Sequence, residues 1–327
     1  MDFDTKFDRQ ARAVAPLPQP AIEVAAAAID CGALRRTTRL GGGFSNLNYL
    51  LKFEGGERCV LRVSPDRERL RMEADLMAHL ATTSVPVPEF LWQGVEPLPE
   101  GSWAFAMSYI EGVPIAAVED DLPSTLCRDI CEQLAVAAAG VHSVRFEASG
   151  FLGPGPTVTQ SFPSYSAGTM GFLKSCLDDA RLKRRVGIER WDRLRRCVDA
   201  CSSLHVPPVS EQLCHGDFNQ KNLLVRKEAG RYRLVAVLDW EFALSASGLL
   251  DVGNLLRFED ESPAVDADWF AAAYRDAGGQ LGTDWRDRAL FADLLAQCSF
   301  LIDVEERPKT TATAISVIDR TLAALDS

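Results

Sequence analysis

The chain has 327 residues, of which 47 % are hydrophobic and 25 % are charged, and its formal net charge is −11. This length exceeds what one small core organises and predicts about two domains or lobes. Because an acidic protein gains nothing from counterion release on a polyanion, the charge argues against general nucleic-acid binding.

The chain carries no sign of a targeting or membrane segment. Its first residues, MDFDTKFDRQ, mix charges and lack the apolar centre of a signal peptide. The longest apolar stretches are much shorter than the roughly 20 residues that a membrane-spanning helix needs. The nine cysteines include no CxxC pair, which argues against a zinc site and favours reduced thiols. We therefore expect a cytoplasmic protein.

The N-terminal third of the chain predicts a small β-rich unit with one long helix. Residues 1–20 are charged and then proline-rich, which is typical of a loose arm. The pattern then predicts a helix over 21–32, strands over 33–40, 47–53 and 58–63, a helix over 64–83 and a strand over 102–110. In the second helix Ser64 is the expected N-cap, and Pro65 occupies the first helical position.

Beyond residue 108 the pattern changes to helices. These are predicted over 123–143, 168–184, 188–204, 262–278 and 284–325, the last with a break near Pro308. Only two strand-like runs interrupt them, 222–225 and 233–240, and the turn KEAG joins these into a hairpin. We expect an α+β fold with an N-terminal lobe at 21–108 and a larger, mainly helical lobe at 109–327.

The segment LCHGDFNQKNLLV, residues 213–225, is unusually polar for a run that enters a strand. Asp217 and Asn222 lie five positions apart in it, and Asp239 ends the other strand of the hairpin. Since a hairpin brings the ends of its strands together, Asn222 and Asp239 can share a Mg²⁺ ion, which prefers carboxylate and carbonyl oxygens. Asp217 then remains free to act as a base. The alternative is a polar turn whose side chains cap their own backbone.

Three motifs in this region resemble one known family. HGDFNQKN resembles the HGDxxxxN catalytic loop of the aminoglycoside phosphotransferases, which are relatives of choline kinase and more distantly of protein kinases. VLDWEFA is similar to that family's metal-binding strand end, and GLLDVGNLLR to the segment that follows it. The resemblance covers about residues 33–260 in motif order. It implies a bilobal protein-kinase-like fold, with an antiparallel sheet and a helix in the small lobe.

The resemblance also implies an activity and its participants. A phosphoryl group would pass from ATP or GTP to a hydroxyl of a small molecule, with Mg²⁺ as cofactor. Asp217 would be the catalytic base, and Asn222 and Asp239 would hold the metal. His215 would orient the loop, and Asp251 would hydrogen-bond its backbone.

The small lobe should supply the nucleotide contacts. The family predicts a phosphate-binding loop between the first two strands, where GGGFSN lies at residues 41–46. Glycines let backbone N–H groups approach phosphates closely, although such turns are commonly structural. The expected contacts are Gly42, Gly43, Phe44, Ser45 and Asn46.

Two further nucleotide contacts follow from the family pattern. Arg62 on the third strand should pair with Glu73 on the following helix and contact phosphate. Many relatives have a lysine at this position, and an arginine is permanently charged and can bind phosphate through two N–H groups at once. The alternative is an exposed strand residue and a solvated helix face. The connection at 106–112 should bind adenine through its backbone, and Ser108 and Ile110 are the candidates.

The acceptor pocket should lie between the loop of Asp217 and the C-terminal helices. Glu241 departs from the glycine of protein kinases and is open to three roles: a second metal, a basic residue or the acceptor. Acidic side chains beyond it can attract a polycation such as an aminoglycoside, or can form a solvated surface; they are Glu259, Asp260, Asp303, Glu305 and Glu306. An aminoglycoside or another antibiotic is the expected acceptor.

One alternative function stays open, and two others are disfavoured by the sequence. The first is a metabolic kinase for choline, homoserine, a sugar or a glycated amine. The second is a nucleotide-binding pseudokinase, against which the presence of the base and both metal ligands argues. A protein kinase is disfavoured because only eleven residues separate Asp239 from Asp251, too few for an activation loop. The sequence does not decide between a monomer and a dimer.

Overall fold

The computed structural model describes residues 16–41, 46–94, 97–200, 204, 207, 209–305 and 307–325. Its N-terminal part contains α1 (Gln19–Ala28), β1 (Leu34–Leu40), β2 (Leu47–Phe53), β3 (Arg58–Ser64), α2 (Arg67–Leu80), β4 (Phe90–Gln93) and β5 (Trp103–Ser108). The five strands form one antiparallel sheet in the order β1-β2-β3-β5-β4. The β2–β3 hairpin predicted from the sequence is confirmed.

The two faces of this sheet bury different kinds of side chain. Alternate residues of β2 and β3, such as Tyr49, Leu51 and Leu61, pack with α1 in one hydrophobic cluster. Because successive strand residues point to opposite faces, Arg62 lies on the other face. There it contacts α2 through Glu73. The sheet thus separates an apolar core on one side from buried charge on the other.

The predicted start of α2 was wrong by a few residues. Ser64 is the last residue of β3 and pairs with Trp103, so it does not cap the helix. Asp66 is the N-cap, because its carboxylate accepts a hydrogen bond from the backbone N–H of Arg69 at 3.0 Å. The hydroxyl of Ser64 accepts instead from the N–H of Asp66 at 3.2 Å.

The remaining helices are α3 (Ser124–Ser143), α4 (Tyr165–Asp178), α5 (Ala180–Val186), α6 (Ile188–Ala200), α7 (Leu249–Leu256), α8 (Ala267–Asp276), α9 (Trp285–Leu301) and α10 (Pro308–Leu325). The break predicted near Pro308 is confirmed. The single helix predicted over 168–184 is wrong, because Asp179 is extended and caps α5 through the N–H of Arg181 at 2.7 Å. Helix α7 was not predicted.

The expectation of only two strands beyond residue 108 was also wrong. The strands there are β6 (Val113–Pro114), β7 (Gly150–Gly153), β8 (Thr157–Ser161), β9 (Gln212–Cys214), β10 (Leu223–Glu228), β11 (Arg231–Val237) and β12 (Leu244–Ala246). They form two small sheets, β11-β10-β6 and β8-β7-β12-β9. Several of these strands have only two to four residues, which is too short to show an alternating pattern in the sequence.

The β10–β11 hairpin is anchored in the largest hydrophobic cluster. Leu223, Val225 and Val237 are buried there together with side chains of α2, β5, α3, α7 and α8. This cluster includes residues from both sides of position 108, so the lobe boundary stays a prediction. A second cluster lies among α4, α5, α6, α9 and α10. The α+β fold class is confirmed, and the loops at the end of the hairpin are held by its buried base.

Within the part of the chain that the structure describes, every helix is too short or too polar to cross a bilayer.

Candidate active site

Asp217 lies in the loop between β9 and β10, and two amides hold its carboxylate. Nδ2 of Asn222 donates to Oδ2 of Asp217 at 2.8 Å, and Nδ2 of Asn219 donates to Oδ1 at 2.8 Å. Asp217 and Asn222, both predicted from the sequence, therefore contact each other directly. Asn219 was missed, because a single asparagine in a polar loop gives no distinguishing signal. The geometry fixes the orientation of the carboxylate.

Asp239 lies next to this loop because the hairpin closes there. The N–H of Leu238 donates to the backbone oxygen of Asn222 at 2.8 Å, and Asp239 is the next residue. Its backbone has a φ of +67°, in the left-handed region that non-glycine residues rarely adopt. Because Nδ2 of Asn222 is occupied by Asp217, Oδ1 of Asn222 is the atom left for a ligand; no other described residue donates to it.

His215 joins the loop of Asp217 to the end of β11. Its Nδ1 accepts a hydrogen bond from the N–H of Asp217 at 3.1 Å, so Nδ1 carries no proton. The proton on Nε2 is then donated to the backbone oxygen of Leu238 at 2.8 Å. The ring also packs 4.6 Å from the ring of Trp240. These contacts tie the loop of Asp217 to the strand end and occupy both ring nitrogens of His215. The orienting role expected for His215 stays a prediction.

Asp251, at the start of α7, holds the backbone of the same loop. Its carboxylate accepts hydrogen bonds from the N–H of His215 at 2.7 Å and of Gly216 at 2.9 Å. It is also 3.1 Å from Nε2 of His142, whose Nδ1 lies 2.7 Å from the hydroxyl of Tyr274. No role for His142 was predicted from the sequence.

His142, Asp251 and Cys214 also form a compact cluster whose polar atoms lie within 4.8 Å of one another. Both carboxylate oxygens of Asp251 already accept N–H groups. Burial raises the pKa of the Cys214 thiol, which disfavours a thiolate. The cluster is therefore a structural support for the loop and not a metal site.

Gly216 has a conformation that other residues would not tolerate. Its φ is +80°, and a Cβ atom placed on it would lie 2.3 Å from the backbone oxygen of Phe242. The turn before Asp217 therefore packs directly against the segment that follows Asp239.

Arg62 links the small sheet to the end of the hairpin. Its Nε lies 2.9 Å from Glu73, and its Nη2 lies 2.5 Å from Oδ1 of Asp239. Burial acts to lower the pKa of Arg62, but the carboxylates of Glu73 and Asp239 outweigh it and raise that pKa. Burial raises the pKa of Glu73, and Arg62 opposes this rise. The contact with Glu73 excludes the exposed-strand alternative for Arg62.

Glu241 is buried on the same side of the site. Nδ2 of Asn46 donates to its Oε2 at 3.1 Å, and Nη1 of Arg69 lies 3.9 Å from that oxygen. Burial, and then the charge of Asp239, raise the pKa of Glu241 to about 7. The sequence left three roles open for Glu241: contact with a second metal, with a basic residue or with the acceptor. The structure contains the second of these, since Arg69 lies near Glu241.

The site has more negative than positive charge in a buried space. Glu73, Asp217, Asp239 and Glu241 contribute four carboxylates, and Arg62 is the cation in closest contact with them. Burial also raises the pKa of Asp217, and Asp239 adds to the rise. A raised carboxyl pKa means that the ionised form lacks compensation. The site is rich in oxygen atoms and lacks positive charge, so it fits a divalent cation such as Mg²⁺.

Of the nucleotide contacts predicted in the small lobe, only part can be placed. Gly42, Gly43, Phe44 and Ser45 lie outside the described residues. Ser108 is engaged with Glu89, since its N–H donates to the Glu89 oxygen at 2.8 Å and its hydroxyl accepts from the Glu89 N–H at 2.9 Å. The backbone of Ile110 has no hydrogen-bond partner among the described residues. Of these two residues, Ile110 is therefore the better placed to hydrogen-bond adenine through its backbone.

The acidic residues expected to attract a polycation are mostly paired. Glu259 contacts Arg286, and Arg307 lies 3.6 Å from Asp303 and 3.4 Å from Glu305. Asp260 is exposed, and Glu306 lies outside the described residues.

The sequence matches APH, the phosphotransferase enzyme family, over residues 36–291, which is most of the chain. The chain belongs to the phosphotransferase enzyme family. The predicted family and the predicted class of enzyme, a small-molecule phosphotransferase, are thereby confirmed. A search of curated proteins finds no match to this APH-family chain.

Solved structures show the fold of this phosphotransferase independently. An aminoglycoside phosphotransferase APH(4)-Ia, in a ternary complex with AMP-PNP and hygromycin B, is 19 % identical with a TM-score of 0.68 and covers 93 % of this chain and 98 % of its own. Macrolide 2′-phosphotransferase MphH from Brachybacterium faecium is 20 % identical with a TM-score of 0.60, over 94 % and 97 %. A protein from Thermobifida fusca YX-ER1, provisionally named a fructosamine-3-kinase, is 16 % identical with a TM-score of 0.64, over 94 % and 99 %. The predicted kinase-like fold is confirmed.

Proposed function

We propose that this phosphotransferase moves the γ-phosphoryl group of ATP or GTP to a hydroxyl of a small molecule, with Mg²⁺ as cofactor. The observation that carries the proposal is the carboxylate of Asp217, held by the amides of Asn219 and Asn222. It lies in a loop whose backbone Asp251 fixes. A carboxylate held in one orientation beside a metal-binding strand end is what phosphoryl transfer to a hydroxyl requires.

Asp217 is proposed to accept the hydroxyl proton of the acceptor. Each of its oxygens receives one amide N–H, and a carboxylate oxygen can accept two hydrogen bonds. The remaining positions can therefore orient the attacking hydroxyl. In the transfer, the acceptor oxygen bonds to the γ-phosphorus, the bond from phosphorus to the β-phosphate oxygen breaks, and ADP or GDP leaves. Orientation is the main contribution of this group, because the transition state is loose.

Asn222 and Asp239 are proposed to hold the metal. The free Oδ1 of Asn222 and the partly exposed carboxylate of Asp239, at 31 % side-chain exposure, support this assignment. Mg²⁺, when bound there, would neutralise charge on the transferring group. Glu241, two residues from Asp239, would add negative charge at the same place.

Arg62 is proposed to contact the phosphates. Its Nε faces Glu73 and its Nη2 faces Asp239, whereas Nη1 has no partner among the described residues. A guanidinium can serve several anions at once because its N–H groups diverge in a rigid plane. Asn46 is proposed to lie beside the nucleotide phosphates, and its contact with Glu241, two residues from Asp239, supports this assignment.

The acceptor is proposed to be a hydroxylated antibiotic. Hygromycin B is bound in one compared structure and another compared protein is a macrolide 2′-phosphotransferase, which supports this class. The metabolic kinase stays the second candidate, supported by the structure provisionally named a fructosamine-3-kinase. The cytoplasmic location expected from the sequence stays a prediction.

The test is a coupled assay for release of ADP or GDP with Mg²⁺. The panel contains aminoglycosides, macrolides, choline, homoserine and sugars. We expect release that depends on one compound and is abolished by Asp217→Ala, while nucleotide binding stays within about twofold, since Asp217 acts on the acceptor. An Asp217→Ala enzyme with wild-type turnover would contradict the assigned role of Asp217. A panel without any stimulated release would contradict the proposed acceptor classes.

A further inference from the structure

Glu241 is a buried carboxylate that side chains from two separate elements contact. Asn46, the residue before β2, donates from its Nδ2 to Oε2 of Glu241 at 3.1 Å, and Nη1 of Arg69 on α2 lies 3.9 Å from the same oxygen. Asn46 and Glu241 are both buried. A hydrogen bond to a buried charged group is among the stronger polar contacts in a protein. Glu241 therefore joins the end of the glycine-rich stretch to α2.

Helix α2 is held at two points against the segment that follows β11. Arg69 and Glu73 are four positions apart and therefore lie on one face of the helix. Arg69 lies near Glu241, whereas Glu73 contacts Arg62, whose guanidinium reaches Asp239. The position of α2 relative to Asp239 therefore depends on both contacts, and Glu241 provides one of them.

The surroundings of Glu241 disfavour the other two roles that the sequence left open for it. Among the described residues, Glu241 belongs to no group of three metal-ligating side chains whose atoms all lie within 4.8 Å of one another. Its Oε2 already accepts a hydrogen bond from Asn46. The side chain is 4 % exposed, so little of it is open to an acceptor molecule.

We propose that Glu241 is a positioning residue for the nucleotide. It fixes Asn46 and Arg69, and through them the end of the glycine-rich stretch and α2, in the arrangement that receives the phosphates. This inference rests on the proposed function, since it takes the phosphates to lie beside Asn46 and Arg62. Side chains that are held in place before a ligand arrives lose less conformational freedom on binding, so removal of Glu241 weakens the affinity for nucleotide.

The test measures nucleotide binding without turnover. Calorimetry of the full chain with Mg²⁺ and AMP-PNP or GMP-PNP, whichever binds the wild type more tightly, gives a Kd for each variant. Glu241→Ala should raise this Kd about tenfold or more, because Asn46 loses a charged hydrogen-bond acceptor. Glu241→Gln should raise it only about two- to threefold, because its amide oxygen still accepts from Asn46. Thermal unfolding confirms that each variant is folded.

A double-mutant cycle shows whether Asn46 acts through Glu241. Asn46→Ala should raise the Kd about tenfold in the wild type but less than about twofold in Glu241→Ala, because the contact it removes is already absent there. Arg69→Met should raise the Kd about two- to fivefold, as expected for a partly exposed ion pair. Arg71→Met is the matched control and should leave the Kd unchanged, since Arg71 is exposed on the same helix but on a different face.

The dependence on Mg²⁺ distinguishes a positioning residue from a metal ligand. The ratio of the Kd of Glu241→Ala to that of the wild type should be the same at roughly 1 and roughly 20 mM Mg²⁺, because Glu241 does not bind the ion. A ratio that falls towards one at the higher concentration would assign Glu241 to a metal and overturn the inference.

The remaining results also decide the matter. A wild-type Kd in Glu241→Ala, an equal effect of Asn46→Ala with and without Glu241, or an equal effect of Arg69→Met and Arg71→Met would overturn the inference. The expected coupling in an enzyme that releases no ADP or GDP with any acceptor tested would support the role of Glu241 and contradict the proposed transfer. Stimulated release without the coupling would support the transfer and refute the role of Glu241.

Discussion

The guanidinium of Arg62 lies 2.5 Å from the carboxylate of Asp239, although 177 positions separate the two residues in the chain. The same guanidinium contacts Glu73 through a different nitrogen. Arg62 lies on β3 and Asp239 follows β11, so one buried side chain joins the small sheet to the proposed metal site. A lysine has a single charged tip and cannot present two fixed, divergent N–H groups to these carboxylates.

Two substitutions of Arg62 should therefore distinguish the effect of its positive charge from the effect of its guanidinium geometry. Arg62→Lys keeps the positive charge but loses the planar guanidinium with its divergent N–H groups. We expect the enzyme to stay folded and the KM for nucleotide to rise about tenfold. Arg62→Met leaves Glu73 buried without its partner and should cost about 3–5 kcal/mol of unfolding free energy. Steady-state kinetics and urea unfolding measure the two effects.

The double variant Arg62→Met with Glu73→Leu is the control for Arg62. It should recover most of the stability, because neither buried charge remains, but it should not recover nucleotide affinity. Recovery of both would show that Arg62 serves the fold and has no contact with nucleotide.

Asn219 should matter for turnover more than for binding. Asn219→Ala removes the amide that holds Oδ1 of Asp217, so the carboxylate gains freedom to rotate. We expect kcat to fall about 10- to 100-fold while the KM for nucleotide changes little, because a misplaced catalytic group affects the transition state. An unchanged kcat would mean that Asn222 alone positions Asp217.

Gly216 and Gly278 form a matched pair for backbone strain. Both have a positive φ, +80° and +91°, but only at Gly216 would a Cβ meet another atom, the backbone oxygen of Phe242. Gly278→Ala should cost about 1–2 kcal/mol from the left-handed conformation alone. Gly216→Ala should cost more and should abolish transfer, since the loop must shift. Thermal unfolding and activity of the two variants check this, and equal losses in both would contradict the close contact.

Glu119 should make stability depend on pH. It is fully buried, and its carboxylate accepts a hydrogen bond from the hydroxyl of Ser262. Burial raises its pKa in the folded state, and the hydrogen bond from Ser262 opposes the rise. The folded protein therefore binds this proton more tightly than the unfolded chain does. Its stabilising contribution is present below the unfolded pKa of about 4.3 and is lost as pH rises through the higher folded pKa.

Glu119→Gln removes this titration, so the stability of wild type relative to the variant should fall as pH rises from about 4 to about 8. Urea unfolding at several pH values measures the difference. A constant difference across this range would show that Glu119 does not titrate with folding.

The sequence predicted those parts of the site whose signals are local. Asp217 and Asn222 are five positions apart, and Asp239 follows the paired strand, so spacing and a hairpin were sufficient to bring them together. The charge pair of Arg62 and Glu73 was predictable from the resemblance, because strand and helix follow each other. The α+β order was readable from hydrophobic periodicity. The short strands β7, β9 and β12 were not, because three or four residues contain too few alternations.

The sequence by itself determined the family and the fold class, since each depends on residues close together in the chain, and it predicted a catalytic role for the loop of Asp217. Only the tertiary structure decided how that loop is held and what surrounds it. His142 supports Asp251 across 109 positions, and Asn46 reaches Glu241 across 195. Such contacts leave no periodic pattern in the sequence, because packing brings together side chains that the chain itself places far apart.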